Sequence, residues 1–298
     1  MGRDLGEQPA SRDWRALAAA LVSVCLWSSA FVGIRATTNS LAPGALALGR
    51  LLIGSVLLGA LLLSRGAVRP TRRELGLLCL AGLLWFGLYN VALNTAEHVV
   101  DAGTAAMVVN VAPLMIMALA AVFLRERLTP NLLAGGAVAF AGVIVIGLAT
   151  TSGKAPVWGI LLCVIATASS AAGVVAQKPV LARLSALQVT WICCTIGALC
   201  CLPYAGALVR DVRTAPATDL AWMAYLGVFP TSVAFTTWAY ALARGTASRL
   251  AATAYLVPPI TIAMSWLILG EVPRVVAVLG GVLCLVGVIF ARRRPRCP

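Results

Sequence analysis

The residues that carry most enzymatic chemistry are scarce in this 298-residue sequence, which has one histidine and ten acidic side chains. None of the ten carboxylates falls in the middle of an apolar run, so a buried proton relay is not visible. The single histidine, His98, stands near the end of such a run. No GxxxxGK[ST] phosphate loop occurs, since "SGKAP" at 152–156 lacks both the upstream glycine and the hydroxyl residue, and direct ATP coupling is thereby excluded. HExxH and GxSxG are also missing, which removes the usual chemistry of a membrane-embedded hydrolase. Nine cysteines are present, but no CxxC and no neighbouring histidine, so no metal site and no cofactor are expected.

Soluble stretches are lacking as well. Only 11% of residues are charged against 61% hydrophobic, and mean hydropathy is +0.95, beyond what a soluble core of this length needs. Apolar runs of about 20 residues, the length that crosses a hydrocarbon core, follow one another along the chain. The sequence predicts ten, at about 17–34, 45–63, 74–93, 104–123, 130–149, 157–177, 186–208, 220–243, 248–269 and 273–290. They are continuous rather than alternating, so helices are expected and barrel strands are not. The first run follows Arg12 and Arg15 and is longer than a signal-peptide core; with nine more behind it, it reads as an uncleaved helix.

The net charge of +13 does not indicate nucleic acid, because the basic residues are spread over loops. With the N-terminus inside, seventeen of the 23 Lys and Arg fall on the cytoplasmic side, five outside (Arg35, Lys154, Arg210, Arg213, Arg274), and Arg50 lies within the second run. This bias predicts cytoplasmic termini in the cell membrane.

The sequence also repeats itself. A shift of 145 residues aligns Pro113 with Pro258, Glu126 with Glu271, Gly135-Gly136 with Gly280-Gly281, and Gly142 with Gly287. Leu and Val coincidences are cheap in this composition, but a Pro, a Glu and three Gly in one register are not. A repeat of five spans is odd, so the second copy enters the membrane from the other side. The reading is an all-α integral membrane protein of ten transmembrane helices in two inverted five-helix repeats. Its parts are a tail at 1–15, the repeats at 16–150 and 157–291, and a basic tail at 292–298.

Residues 104–147 and 226–290 resemble the two EamA-type repeats of the drug/metabolite transporter superfamily. The likeness covers essentially all ten runs through its Pro, Glu and Gly-Gly landmarks. It implies a ten-helix carrier of small metabolites, often an exporter of amino acids. Two departures stand out: Arg125 replaces the glycine common before the landmark Glu, and Trp27 is followed by Ser rather than Gly.

Polar residues inside apolar runs are costly and usually face a partner or a cavity. Asn90 and Asn94 are expected to face a cavity, whereas Glu97, His98 and Asp101 read as wet residues at a helix end. Two readings stand for Arg50: snorkelling to the outer headgroups, or holding a substrate carboxylate with its guanidinium fork. Pro113 and Pro258 near mid-span mark either plain kinks or cavity-lining breaks. Trp27, Phe31, Tyr89, Asn110 and Tyr255 complete the candidate cavity. The partners expected are a small-molecule substrate and the lipid bilayer. The alternatives of other classes are a membrane-embedded enzyme, which would need an acid, base or nucleophile deep in a span, and a structural or signalling protein, which would need no cavity.

Overall fold

In the computed structural model, residues 14–100, 105, 108–150, 156–269 and 274–293 are described, and among them every regular element is helical. The first half contributes α1 (Trp14–Thr37), α2 (Pro43–Leu63), α3 (Arg72–Glu97), α4 (Ala112–Phe123) and α5 (Pro130–Thr150). The second contributes α6 (Val157–Val180), α7 (Ala186–Cys200), α8 (Ala205–Thr214) and α9 (Ala217–Arg244). It ends with α10 (Ala247–Thr253), α11 (Val257–Leu269) and α12 (Val275–Ala291).

Local signals explain where helices start. Thr71 and Glu74 form a reciprocal capping box at α3, with Thr71 N–H donating to Glu74 Oε2 at 2.7 Å and Glu74 N–H to Thr71 Oγ1 at 3.3 Å. Ser185 caps α7 through Gln188 N–H. Pro43 opens α2, where its missing N–H has no helical partner to lose.

Six of these helices are long and apolar enough to span a membrane by themselves, and the pair Ala186–Cys200 and Leu202–Thr214, bent by 54°, makes a seventh if it is one span. Helices α4 and α12 are apolar but shorter. The expected runs at 104–123 and 248–269 are thus interrupted rather than continuous. Helix α4 restarts at Ala112 with Pro113 in its first turn, and a 3-10 turn at Ala254–Leu256 separates α10 from α11 just before Pro258. Each proline heads a new helix instead of kinking an old one, because its ring cannot follow a preceding α-helical turn without clash. Asp101, Glu271, the loop at 151–155 and the outer parts of both tails lie outside the described residues.

Packing pairs the halves. Helix α1 packs on α9 and α11, while α6 packs on α3 and α4; α2 lies against α7. The closest approach is between α5 and α12, and glycine makes it possible. A Cβ on Gly142 would stand 2.6 Å from the Gly280 carbonyl oxygen, and one on Gly280 would stand 2.7 Å from that of Gly142. Gly135 and Gly287 meet in the same way, each 2.6 Å from the other's carbonyl oxygen by that measure. As 135 meets 287, so 142 meets 280; the helices therefore run antiparallel. Residues equivalent under the 145-residue shift exchange places across the contact, as in a self-complementary interface. Outward faces stay apolar: Val275, Leu279, Val282, Val286 and Ile289 of α12 are all exposed.

Candidate functional site

Two segments wind with one residue too many per turn, Gly82–Leu88 in α3 and Gly227–Val233 in α9, again 145 residues apart. Such π turns leave carbonyls off the regular ladder and often stand at functional sites. In the second, Thr231 Oγ1 donates to Leu226 O at 2.8 Å and Ser232 Oγ to Gly227 O at 2.9 Å, each spanning five residues. In the first, Asn90 Nδ2 donates to Phe86 O at 2.8 Å.

Trp85 of the first segment and Val109, Ala112, Pro113, Ala254 and Val257 at the two helix breaks line a cavity of about 120 Å3, room for several waters or a small solute. Trp27, Phe31, Arg50, Tyr89, Asn90, Asn110 and Pro113, seven of the ten residues singled out from sequence, line it. The other three stand behind the wall. Asn94 donates from Nδ2 to Pro43 O at 3.1 Å and so ties α3 to the start of α2. Tyr255 is fully buried with its ring 6.3 Å from that of Phe140, and Pro258 heads α11 while Ala254 and Val257 beside it form the wall.

Part of the lining is polar. Arg50 is only 4% exposed, which disposes of snorkelling to headgroups. Its Nε donates to Thr231 Oγ1 at 2.9 Å, and that hydroxyl is fixed by its own bond to Leu226 O. The guanidinium makes no other hydrogen bond and has no carboxylate within 4.0 Å among the described residues. An aromatic cluster also lines the cavity. Trp27 sits 6.1 Å from Trp85, 5.5 Å from Phe235 and 4.8 Å from Trp238 between ring centroids, and Trp85 lies 4.8 Å from Phe235.

Hydroxyls of other elements bond carbonyls next to the breaks. Thr167 of α6 donates to Val108 O at 3.1 Å, and Ser28 of α1 to Val257 O at 3.1 Å. Trp85, Ser170, Phe235 and Trp238 line the cavity and are not among the residues the sequence singles out. A signal was available for the first, since Gly82 and Gly227, which open the two π segments, share the 145-residue register. Nothing comparable marks Phe235 or Trp238, which look like ordinary core aromatics.

A bundle of membrane-length apolar helices, broken at equivalent prolines around a polar and aromatic cavity, has the architecture of a membrane transporter. The chain belongs to the EamA-like transporter family, whose pattern it matches twice, at residues 14–148 and 157–293. It is similar to a probable terminal-alkyne amino-acid exporter of Streptantibioticus cattleyicolor, at 37% identity over 94% of both chains. A probable amino-acid metabolite efflux pump of Salmonella typhimurium is 27% identical over 90% of this chain and 91% of its own. A crystal structure of a protein 23% identical overlays with a TM-score of 0.76, covering 93% of this chain and 96% of the other, and so shares the fold.

Proposed function

We infer that the protein is a secondary carrier of the cell membrane that exports an amino acid or a closely related compound by alternating access. The observation that carries the reading is Arg50. A buried cation with no carboxylate in contact among the described residues is costly, and it persists where an anionic ligand completes it. Thr231 holds Nε, leaving the two Nη groups for a carboxylate in bidentate geometry. The aromatic cluster of Trp27, Trp85, Phe235 and Trp238 in the same lining then takes an apolar or unsaturated side chain. The names of the two exporter relatives agree with such a ligand.

Ten spans in two inverted halves, with both termini cytoplasmic, complete the proposal. The antiparallel, reciprocal glycine contacts of α5 and α12 support inversion, as do the π segments and helix breaks repeated at one register. Of the four expected spans beyond the six long single helices, three are interrupted by a break and the fourth, α12, is a single apolar helix of 17 residues.

The test compares compounds released by cells that carry the parent protein, the Arg50→Lys variant, or neither. The parent is expected to raise an extracellular compound bearing a carboxylate, and R50K, which keeps the charge but loses the fork, to abolish that rise with unchanged membrane insertion. A parent level equal to that of cells without the protein overturns the reading.

A further inference from the structure

Glu126, one of the repeat's landmarks, is far from the cavity and reaches across the molecule. Its Oε1 accepts from Ala247 N–H at 2.7 Å, and its Oε2 from Ser248 N–H at 2.9 Å and Ser248 Oγ at 2.6 Å. These are the first N–H groups of α10, which have no partner within their own helix. Helix α10 runs directly into the 3-10 turn and α11, so the carboxylate grips the segment that supplies Ala254 and Val257 to the cavity wall.

The grip is prepared from its own side. Arg125 has φ 53°, the only left-handed non-glycine residue among those described, and this turn aims Glu126 at α10. Other contacts close the same end of the bundle. Lys178 at the end of α6 donates to Leu242 O at 2.6 Å and to Gly245 O at 2.5 Å, and Arg292 after α12 donates to Thr253 Oγ1 at 2.8 Å. Arg183 pairs with Glu74 there too.

We propose that Glu126 is a positioning residue for transport: a latch that holds the broken α10–α11 segment against the first half and keeps the cavity shut on the side of the termini. This rests on the carrier reading of the cavity. Opening to that side requires α10 to leave Glu126, because both oxygens are committed to it and no other acceptor among the described residues bonds the Ala247 and Ser248 N–H groups. Glu271 is the sequence counterpart of Glu126 for the second half.

The test needs no substrate. In full-length protein with its nine native cysteines replaced, a single cysteine at Ala251, fully buried within α10, is labelled by a membrane-impermeant maleimide applied to the cytoplasmic face of inside-out vesicles. Glu126→Gln leaves one carbonyl oxygen where two carboxylate oxygens are used, and labelling is expected to quicken roughly ten- to hundredfold, the scale of a charge-assisted bond. Glu271→Gln is expected to leave it no faster than the parent. A rate within about twofold of the parent for E126Q at an unchanged melting temperature overturns the latch, as does equal acceleration by E271Q. If E126Q fails to insert, Ser248→Ala, which removes only the 2.6 Å hydroxyl bond, decides in the same way. Should the protein move no solute, accelerated labelling in E126Q still stands, so the two readings fail separately.

Discussion

Replacing Gly142 by alanine perturbs the seam that joins the two halves and carries a magnitude that the geometry supplies. The new Cβ would stand 2.6 Å from Gly280 O, 2.7 Å from Cys284 N and 2.8 Å from Cys284 Sγ, about 0.8 Å inside the 3.4 Å at which ordinary contact begins. Two of the three neighbours are backbone atoms and cannot rotate away, so α5 and α12 must separate. Overpacking of this kind costs about 1–3 kcal/mol, and rigid backbone neighbours put this site at the upper end. Alanine returns about 1 kcal/mol of helix propensity, leaving a net loss of about 2 kcal/mol. Gly287→Ala, its counterpart, should lose as much, since its Cβ meets Gly135 O at 2.6 Å. Gly206→Ala in α8 has nothing within 4 Å and should gain up to about 1 kcal/mol instead. Reversible denaturant unfolding of the purified protein reads all three. A G142A variant as stable as the parent would refute the close seam.

Arg125→Gly should stabilise the protein by about 0.5–1 kcal/mol, because a left-handed residue other than glycine costs about 1–2 kcal/mol and glycine's extra freedom in the unfolded chain returns part of that. Arg125→Ala, which keeps the strain, should gain nothing, and the same unfolding measurement separates the two. Reporters fused after Phe290 and within residues 151–156 should report cytoplasm and exterior respectively; an exterior signal after Phe290 is incompatible with inverted halves.

Much of this was legible in the sequence because the landmarks that repeat are backbone-limited residues. Pro113 and Pro258 mark the breaks, and Gly135, Gly142, Gly280 and Gly287 mark the seam, since only those residue types satisfy such geometry. Arg50 was visible as the one basic residue inside an apolar run; its burial and its bond to Thr231 argue against snorkelling, and the carboxylate role stands as the proposal. Asn94 shares a helical face with Asn90 but stands one turn further along α3, where it bonds Pro43 O behind the cavity wall. Kinks and cavity-lining breaks could not be told apart at Pro113 and Pro258, because hydropathy is continuous through them. Trp85, Phe235 and Trp238 could not be told from packing residues, for an aromatic ring facing a cavity and one facing a neighbouring helix look alike in sequence. Glu126 read as a helix-end anchor, and its partners lie 121 and 122 residues away, beyond any local pattern.

The central claim is that this chain moves a solute by alternating its cavity between the two sides of the membrane without consuming ATP. Counterflow measures that directly. Purified protein is reconstituted into liposomes preloaded with the carboxylate compound that its expression releases from cells, and labelled compound is added outside with no imposed pH gradient. The account predicts that label accumulates transiently against its own gradient, and that R50K liposomes show none. Label entry that is the same from empty and preloaded liposomes would contradict alternating access.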